Sequence, residues 1–155
     1  MKNAGGFALI NSGSITACYS TGSVTKINLK YGASYYGGFV GDNSGTITNC
    51  YSTGSVSGWE VGGFAGYNYS SINKCFSSGA VSGAIIGGFA SRCGESGAIT
   101  NCFWDIESSG IPASVSAGGE GKTSDEMTKQ ATYVDWDFAN VWQLDDSDGL
   151  YPVLR

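Results

Sequence analysis

The side chains that could carry acid–base or nucleophilic chemistry are few and scattered along the sequence. The 155-residue chain contains no histidine, which removes the Ser/His and Cys/His pairs used in nucleophilic catalysis. The three acids within the repeats, Asp42, Glu60 and Glu95, occupy different repeat positions and form no obvious pair. Asp105 and Glu107 could approach each other, but a helix-capping turn explains them equally well. We therefore predict no catalytic residues, and a carbohydrate-active enzyme built on clustered carboxylates is the alternative.

One acidic turn resembles the end of a calcium-binding loop. Asp146, Asp148 and Gly149 fit its last positions. However, Leu144 replaces the first aspartate, and Arg155 stands where the closing glutamate should be. A surface turn is the preferred interpretation. Asp146 and Asp148 are thus the only metal candidates in a chain for which we predict no metal.

Residues 116–123 (SAGGEGKT) resemble a phosphate-binding loop. Such a loop requires glycine where Ser116 stands, a buried strand before it and an α/β sheet around it. The preceding segment, 112–115, is a poor strand, and no alternation of strands and helices is visible. We interpret this segment as a solvated glycine loop and predict no cofactor.

The chain has five cysteines, an odd number, and none of them is arranged as Cys-x-x-Cys, so neither a zinc site nor a disulfide framework is indicated. Buried free thiols are the preferred interpretation. We predict that four of them form a column in the core: Cys18, Cys50, Cys75 and Cys102.

A repeat organises most of the sequence. Gly-Gly-Phe followed by a small apolar residue occurs four times, beginning at Gly5, Gly37, Gly62 and Gly87. Each copy continues to an isoleucine and, three residues later, to a cysteine followed by an aromatic residue. The first interval is longer, with an insertion within 26–36. A unit of about 25 residues with short β-favouring runs cannot bury its own apolar side, whereas stacked copies can.

This pattern predicts an all-β fold, a β-solenoid built as a right-handed parallel β-helix of about four 25-residue coils. Equivalent residues should stack about 4.8 Å apart, so that Asn11, Asn43 and Asn68 form an amide ladder. The odd spacing between isoleucine and cysteine predicts a bend between them. Columns of Ser and Thr also resemble flat ice-binding faces, although Asn73 interrupts one column.

The repeat is similar to a known motif. Residues 37–58 (GGFVGDNSGTITNCYSTGSVSG) resemble the GLUG motif, and the likeness extends over 5–110 in four copies. That repeat occurs in large bacterial surface and secreted proteins, including filamentous-haemagglutinin-like adhesins. The resemblance implies a bacterial surface or secreted origin, with this chain as a fragment of a longer protein. It does not imply an activity.

Charge and aromatic content divide the chain. Residues 1–101 hold five basic and three acidic residues, whereas 102–155 hold three basic and ten acidic ones. We assign 1–109 to the solenoid repeats and 110–155 to a loop and a C-terminal cap, with a short helix over 125–132 capped by Ser124. The apolar tail is expected to fold across the end of the solenoid. Nothing is basic enough for nucleic acid, and no apolar stretch is long enough for membrane insertion.

These observations predict a structural or adhesive module that is not an enzyme. The N-terminal coil lacks a cap, so we expect self-association through it. Contacts with a glycan or a host or cell-surface protein are expected through exposed aromatic side chains. The ligand-binding candidates are Tyr31, Tyr35, Tyr36, Trp59 and Tyr67.

Overall fold

A computed structural model describes residues 3–26, 34–145 and 149–155. The first coil contains β1 (Ala4–Gly5), β2 (Ala8–Asn11), β3 (Ser14–Thr16), β4 (Tyr19–Ser20) and β5 (Val24–Thr25). The second contains β6 (Tyr35–Gly37), β7 (Val40–Asn43), β8 (Thr46–Thr48) and β9 (Tyr51–Ser52). The third contains β10 (Val56–Gly62), β11 (Ala65–Asn68), β12 (Ser71–Asn73) and β13 (Phe76–Ser77). The fourth contains β14 (Val81–Gly87), β15 (Ala90–Cys93), β16 (Ala98–Thr100) and β17 (Phe103–Asp105).

Equivalent strands of successive coils pair in parallel and form four stacked sheets. Their strand orders are β1-β6-β10-β14, with β5 also pairing with β10, then β2-β7-β11-β15 and β3-β8-β12-β16. The fourth sheet contains β4, β9, β13 and β17. The register follows the repeat, since Ile15, Ile47, Ile72 and Ile99 are Cα partners. The fold is therefore the predicted all-β parallel solenoid; its right-handed sense stays a prediction.

The bend between isoleucine and cysteine is a left-handed residue. The residue just before each cysteine of the column has a positive φ: 53° at Ala17, 55° at Asn49, 54° at Lys74 and 49° at Asn101. Left-handed backbone reverses the alternation of side chains, so isoleucine and cysteine point to the same side despite their odd spacing. Ile47 and Cys50 accordingly lie in one core.

The main core consists of columns of identical side chains. Phe7, Phe39, Phe64 and Phe89 form a continuous stack with ring centroids 4.8–4.9 Å apart. The cysteine column lies in the same core, with Cys50, Cys75 and Cys102 buried and Cys18 half-buried. All five cysteines are free thiols.

The predicted amide ladder is present. Asn11 Nδ2 donates to Asn43 Oδ1 at 2.8 Å, and Asn43 Nδ2 donates to Asn68 Oδ1 at 2.8 Å. Asn68 Nδ2 in turn lies 3.8 Å from Cys93 Sγ. The side chains of Asn43 and Asn68 are fully buried, so the ladder satisfies polar groups that would otherwise be costly to bury.

A second, smaller core lies inside the first sheet. It consists of Val24, Tyr36, Val56, Val61, Val81 and Ile111. Gly58 is required there, because a Cβ at this position would lie 2.4 Å from Cδ2 of Tyr36. The coils therefore contribute side chains to two separate apolar cores.

Part of the C-terminal segment lies across the end of the fourth coil. After α1 (Ile106–Ser109), the backbone of Val115 accepts from Gly88 N at 2.8 Å, and Ala117 N donates to Ala90 O at 2.9 Å. The strand β18 (Glu120–Lys122) then pairs in parallel with β17. Residues 111–122 thus behave as a partial fifth coil.

The remaining tail packs along the side of the solenoid, not across its end as expected. It contains α2 (Ser124–Met127), a 3-10 turn (Gln130–Thr132), β19 (Trp142–Gln143) and β20 (Val153–Leu154). Its aromatic side chains cover the residues that follow the cysteines in three coils: Tyr51, Phe76 and Phe103. Trp142 reaches as far as the second coil, with its Nε1 3.4 Å from Asn49 Oδ1.

The tail helix is shorter than predicted, and its cap is a different residue. Thr123, not Ser124, is the N-cap, and Thr123 and Glu126 form a reciprocal capping box. The capping box satisfies two backbone N–H groups, which Ser124 could not have done from inside the first turn. Within the residues described, no helix has the length and apolar character needed to cross a membrane.

Candidate ligand-binding site

Two of the five aromatic candidates, Tyr36 and Trp59, lie apart from the others, and a third cannot be placed. Tyr31 lies outside the described residues. Tyr36 is not exposed as expected, because its side chain is buried in the second core with Val56 and Val61. Trp59 is exposed, and the ammonium of Lys26 lies 5.8 Å from its ring centroid.

The other two candidates are in contact. The rings of Tyr35 and Tyr67 meet edge to face at 5.0 Å between centroids. Tyr67 also stacks face to face on Tyr69, with centroids 3.9 Å apart and planes 8° from parallel. Tyr69 is exposed, whereas Tyr35 and Tyr67 are half-buried. Sequence reasoning missed Tyr69, the most accessible member of this group.

Strand register adds two acids and an arginine to the three tyrosines. Glu60 on β10 is the Cα partner of Tyr35, and Tyr67 on β11 is the partner of both Asp42 and Arg92. The guanidinium of Arg92 bridges the two sheets through an ion pair with the buried carboxylate of Glu60. We call the resulting group the tyrosine cluster: Tyr35, Asp42, Glu60, Tyr67, Tyr69 and Arg92.

Asp42 is the unusual member of the tyrosine cluster. Its Oδ1 is buried and, within the described part of the chain, has no hydrogen-bond partner. Burial raises the pKa of the Asp42 carboxyl above its ordinary value. The Asp42 carboxyl therefore has hydrogen-bonding capacity that the described residues leave unused.

The environment also raises the pKa of two tyrosines of the cluster, Tyr35 and Tyr69. Burial, followed by the nearby Glu60 carboxylate, raises the pKa of Tyr35. Burial and the contact with Tyr67 raise the pKa of Tyr69. Both phenols thus remain protonated at neutral pH and can donate hydrogen bonds.

The signal for the tyrosine cluster was present in the repeat spacing. Asp42, Tyr67 and Arg92 are 25 residues apart, as are Tyr35 and Glu60, so each set forms one column. What the spacing could not show is that the two columns meet. They do so because a Cβ at Gly62 would lie 1.9 Å from Ala65 O; only glycine allows the two strands to approach so closely at this turn.

The remaining sequence candidates have structural roles or lie outside the described residues. Asp105 caps α1, and Glu107 accepts a hydrogen bond from Ser124 N at 2.7 Å. Hydrogen bonds and an ion pair hold the loop at 116–123 in place. Ala90 N donates to Ser116 Oγ at 3.1 Å, and Lys122 forms an ion pair with Glu120. Asp146 and Asp148 lie outside the described residues.

The third sheet carries one of the Ser/Thr columns, Thr16, Thr48 and Thr100, and a neighbouring row of hydroxyl groups. Ser14 Oγ and Thr46 Oγ1 are 2.8 Å apart, and Thr100 Oγ1 donates to Asn73 Oδ1 at 3.2 Å. These hydroxyl groups therefore form some of their hydrogen bonds with side chains of neighbouring coils. In the described ranges, no group of three or more Cys, Asp or Glu side chains is arranged to hold a metal ion.

The fold defines the class of protein: a parallel β-solenoid made of short tandem repeats. The GLUG motif matches two adjacent segments, residues 32–57 and 57–82. The chain therefore contains GLUG repeats. The matched segments include the second and third coils, which contain five of the six members of the tyrosine cluster, all except Arg92. No curated protein and no solved structure gives a significant match.

Proposed function

We propose that this chain is a non-catalytic adhesive module of a bacterial surface or secreted protein, and that it binds a neutral glycan at the tyrosine cluster. The observation that carries the proposal is the contact of three tyrosine rings with two acids and one arginine on adjacent strands. The stacked coils supply a rigid support for this group.

Aromatic rings and fixed polar groups together suit a sugar. The apolar faces of a pyranose ring pack on aromatic rings, while its hydroxyl groups need donors and acceptors at fixed positions. Tyr69 supplies an exposed ring, and its contact with Tyr67 holds it in place. The phenol groups of the tyrosine cluster supply the hydrogen bonds.

Charge favours a neutral glycan over an acidic one. Glu60 and Arg92 compensate each other, so Asp42 is the uncompensated charge of the tyrosine cluster. The whole chain has a net charge of −5. A uronic acid or a sulfated sugar would be repelled by both.

Binding to a glycan array tests the proposal, with the full chain and its Tyr69→Ala variant. We expect the parent to bind neutral glycans and Tyr69→Ala to bind at least tenfold more weakly. Trp59→Ala is the matched control, because Trp59 is also an exposed aromatic side chain but lies outside the tyrosine cluster. Equal loss in both variants, or no binding to any neutral glycan, would contradict the proposal.

A carbohydrate-active enzyme is the second candidate, because the tyrosine cluster contains two carboxyl groups on neighbouring sheets. Asp42, with its raised pKa, would be the acid, and Glu60 would be the second carboxylate. Prolonged incubation of the parent with each bound polysaccharide, followed by a reducing-end assay, separates the two functions. Product formation that Asp42→Asn abolishes would establish the enzyme; binding without product supports the adhesive module.

A further inference from the structure

Two rings of the tyrosine cluster are stacked in direct contact. Tyr67 belongs to β11, and Tyr69 follows it by two residues, so both side chains project from the same side of the backbone. Their rings lie face to face, with centroids 3.9 Å apart and planes 8° from parallel. Two other tyrosine pairs in the described residues are wider: Tyr35 and Tyr67 meet edge to face at 5.0 Å, and Tyr19 stacks on Tyr51 at 5.1 Å. Tyr67 and Tyr69 are therefore the pair best placed to react with each other.

The two rings are aligned along one edge and at their hydroxyl ends. A Cβ at Gly94 would lie 3.2 Å from Cδ1 of Tyr69 and 3.4 Å from Cε1 of Tyr67, so both edges face the same point of the fourth coil. Burial is the largest cause of the raised pKa of Tyr69, and the phenol of Tyr67 raises it further through its charge and its hydroxyl group. The Cε carbons next to the two hydroxyl groups are therefore neighbours.

The backbone that carries the two rings is fixed by the asparagine between them. Asn68 is fully buried, and its Oδ1 accepts from Asn43 Nδ2 at 2.8 Å and from Ser70 N at 3.3 Å. Its Nδ2 donates to Ser70 O at 2.7 Å. Tyr69 N in turn donates to Asn43 O at 2.8 Å. Movement of the backbone therefore cannot separate the rings unless the asparagine ladder breaks.

An oxidant in solvent can reach this pair. Tyr69 is 42% exposed, and Tyr67 beside it is half-buried. Tyr19 is more exposed, at 55%, but its partner Tyr51 is only 8% exposed and packs under the aromatic side chains of the tail. The two stacked pairs thus differ both in ring separation and in the accessibility of the second ring, so Tyr19 and Tyr51 provide an internal comparison.

We propose that Tyr67 and Tyr69 are a modification site, at which one-electron oxidation joins the two rings by an intramolecular dityrosine bond. The oxidant is hydrogen peroxide acting through a haem peroxidase, which removes one electron and one proton from each phenol. The unpaired electron of each phenoxyl radical is shared with its Cε carbons, and a C–C bond forms between Cε of Tyr67 and Cε of Tyr69. Each of these carbons then loses its hydrogen as a proton while the phenol oxygen regains one, which restores both aromatic rings. The pair thus loses two hydrogen atoms, and the peroxide is reduced to two water molecules.

The contact between the rings makes this coupling intramolecular. Two radicals held side by side react as a unimolecular pair, whereas radicals on separate molecules must first collide. The product closes a short covalent ring across Asn68 and fixes Tyr69, the more exposed of the two side chains. The proposal does not rest on glycan binding, because it needs only the two phenols and the oxidant.

Treatment of the full chain with hydrogen peroxide and a haem peroxidase, at low protein concentration, tests the modification. We expect dityrosine fluorescence, a monomer whose intact mass falls by two hydrogen atoms, and a proteolytic peptide that gives no fragment ions between residues 67 and 69. Tyr69→Phe keeps the ring but has no hydroxyl group, and it should lower the fluorescence at least tenfold. Tyr19→Phe is the matched control, since it removes a more exposed phenol of a stacked pair; its fluorescence should match the parent's.

Three outcomes would overturn this inference. They are a parent monomer that keeps its mass, fluorescence that Tyr69→Phe leaves unchanged, and a cross-link that maps to Tyr35 and Tyr67 or only joins separate molecules. Each variant differs from the parent by a single oxygen atom, and far-UV circular dichroism verifies that both are folded. The measurement uses no glycan, so its result is independent of the proposed function.

Discussion

The asparagine ladder provides the sharpest test of how the coils hold together. Asn43 occupies its centre: Nδ2 donates to Asn68 Oδ1 at 2.8 Å and to Gly45 O at 3.0 Å, while Oδ1 accepts from Asn11 Nδ2 at 2.8 Å. Asn11 occupies the outer position and makes one ladder bond. Replacing either residue with leucine removes the bonds while keeping a similar side-chain volume.

The two substitutions should differ because they break different numbers of ladder bonds. Each buried hydrogen bond contributes about 0.5–1.5 kcal/mol net, and a buried partner left unsatisfied costs about 1–3 kcal/mol more. Asn43→Leu breaks both ladder bonds and leaves the Nδ2 of Asn11 without its main acceptor. We expect Asn43→Leu to cost about 3–5 kcal/mol and Asn11→Leu about 1–2 kcal/mol.

Urea unfolding followed by circular dichroism measures both values, and the double variant completes a mutant cycle. The double variant lacks the Asn11 amide, so it does not incur the cost of leaving that amide without an acceptor. Its cost should therefore be smaller than the sum of the single costs. The reasoning is refuted if Asn43→Leu costs no more than Asn11→Leu, or if the two effects are additive.

Three further predictions concern the cysteine column, the left-handed corner and the join between solenoid and tail. Cys50→Asp should destabilise the fold by about 3–5 kcal/mol, because it buries an unpaired carboxylate, whereas Cys50→Ala should be much milder; equal melting temperatures would mean that the column is not buried. Lys74→Asn should stabilise the fold by about 0.5–1 kcal/mol, because asparagine tolerates the left-handed conformation better than lysine. Asn101→Ala should destabilise the fold by a similar amount for the same reason. Urea midpoints that move in the opposite directions would contradict this prediction. Burial alone would raise the pKa of Asp105, but hydrogen bonds from Tyr151, Ser124 and two backbone N–H groups lower it below its ordinary value. The ionised Asp105 carboxylate therefore stabilises the fold fully above its unfolded pKa of about 3.9, and this stabilisation is lost as pH falls through the folded pKa. Between about pH 5 and pH 2, the free energy of unfolding should fall less in Asp105→Asn than in the parent. Identical pH profiles of the two proteins would refute the assignment.

The repeat alone was sufficient to predict the solenoid, its columns and the asparagine ladder. Identical residues at a fixed spacing can pack on and hydrogen-bond to one another only when the coils are in register. The period therefore also determines which strands pair. The odd spacing of isoleucine and cysteine similarly predicted the bend. It could do so because side-chain alternation along a strand is a local property of the backbone.

The sequence predicted the columns that form the tyrosine cluster but not the contact between them. The spacing of 25 residues places Asp42, Tyr67 and Arg92 in one column and Tyr35 and Glu60 in another. Whether two columns touch depends on how sharply the chain turns between the strands, and that turn depends on backbone contacts at Gly62. For the same reason, Tyr36 could not be distinguished from its exposed neighbours.

The path of the tail was decided by tertiary structure alone. Its composition identified a segment that must cover apolar surface, but the sequence offered two such surfaces: the end of the solenoid and the aromatic column of Tyr51, Phe76 and Phe103. Residues 111–122 cover the end with backbone hydrogen bonds, and the tryptophans cover the column. Burial of apolar area is non-directional, so the amino-acid sequence by itself determined that the tail must pack, and only the complementary shapes of the folded surfaces decided where.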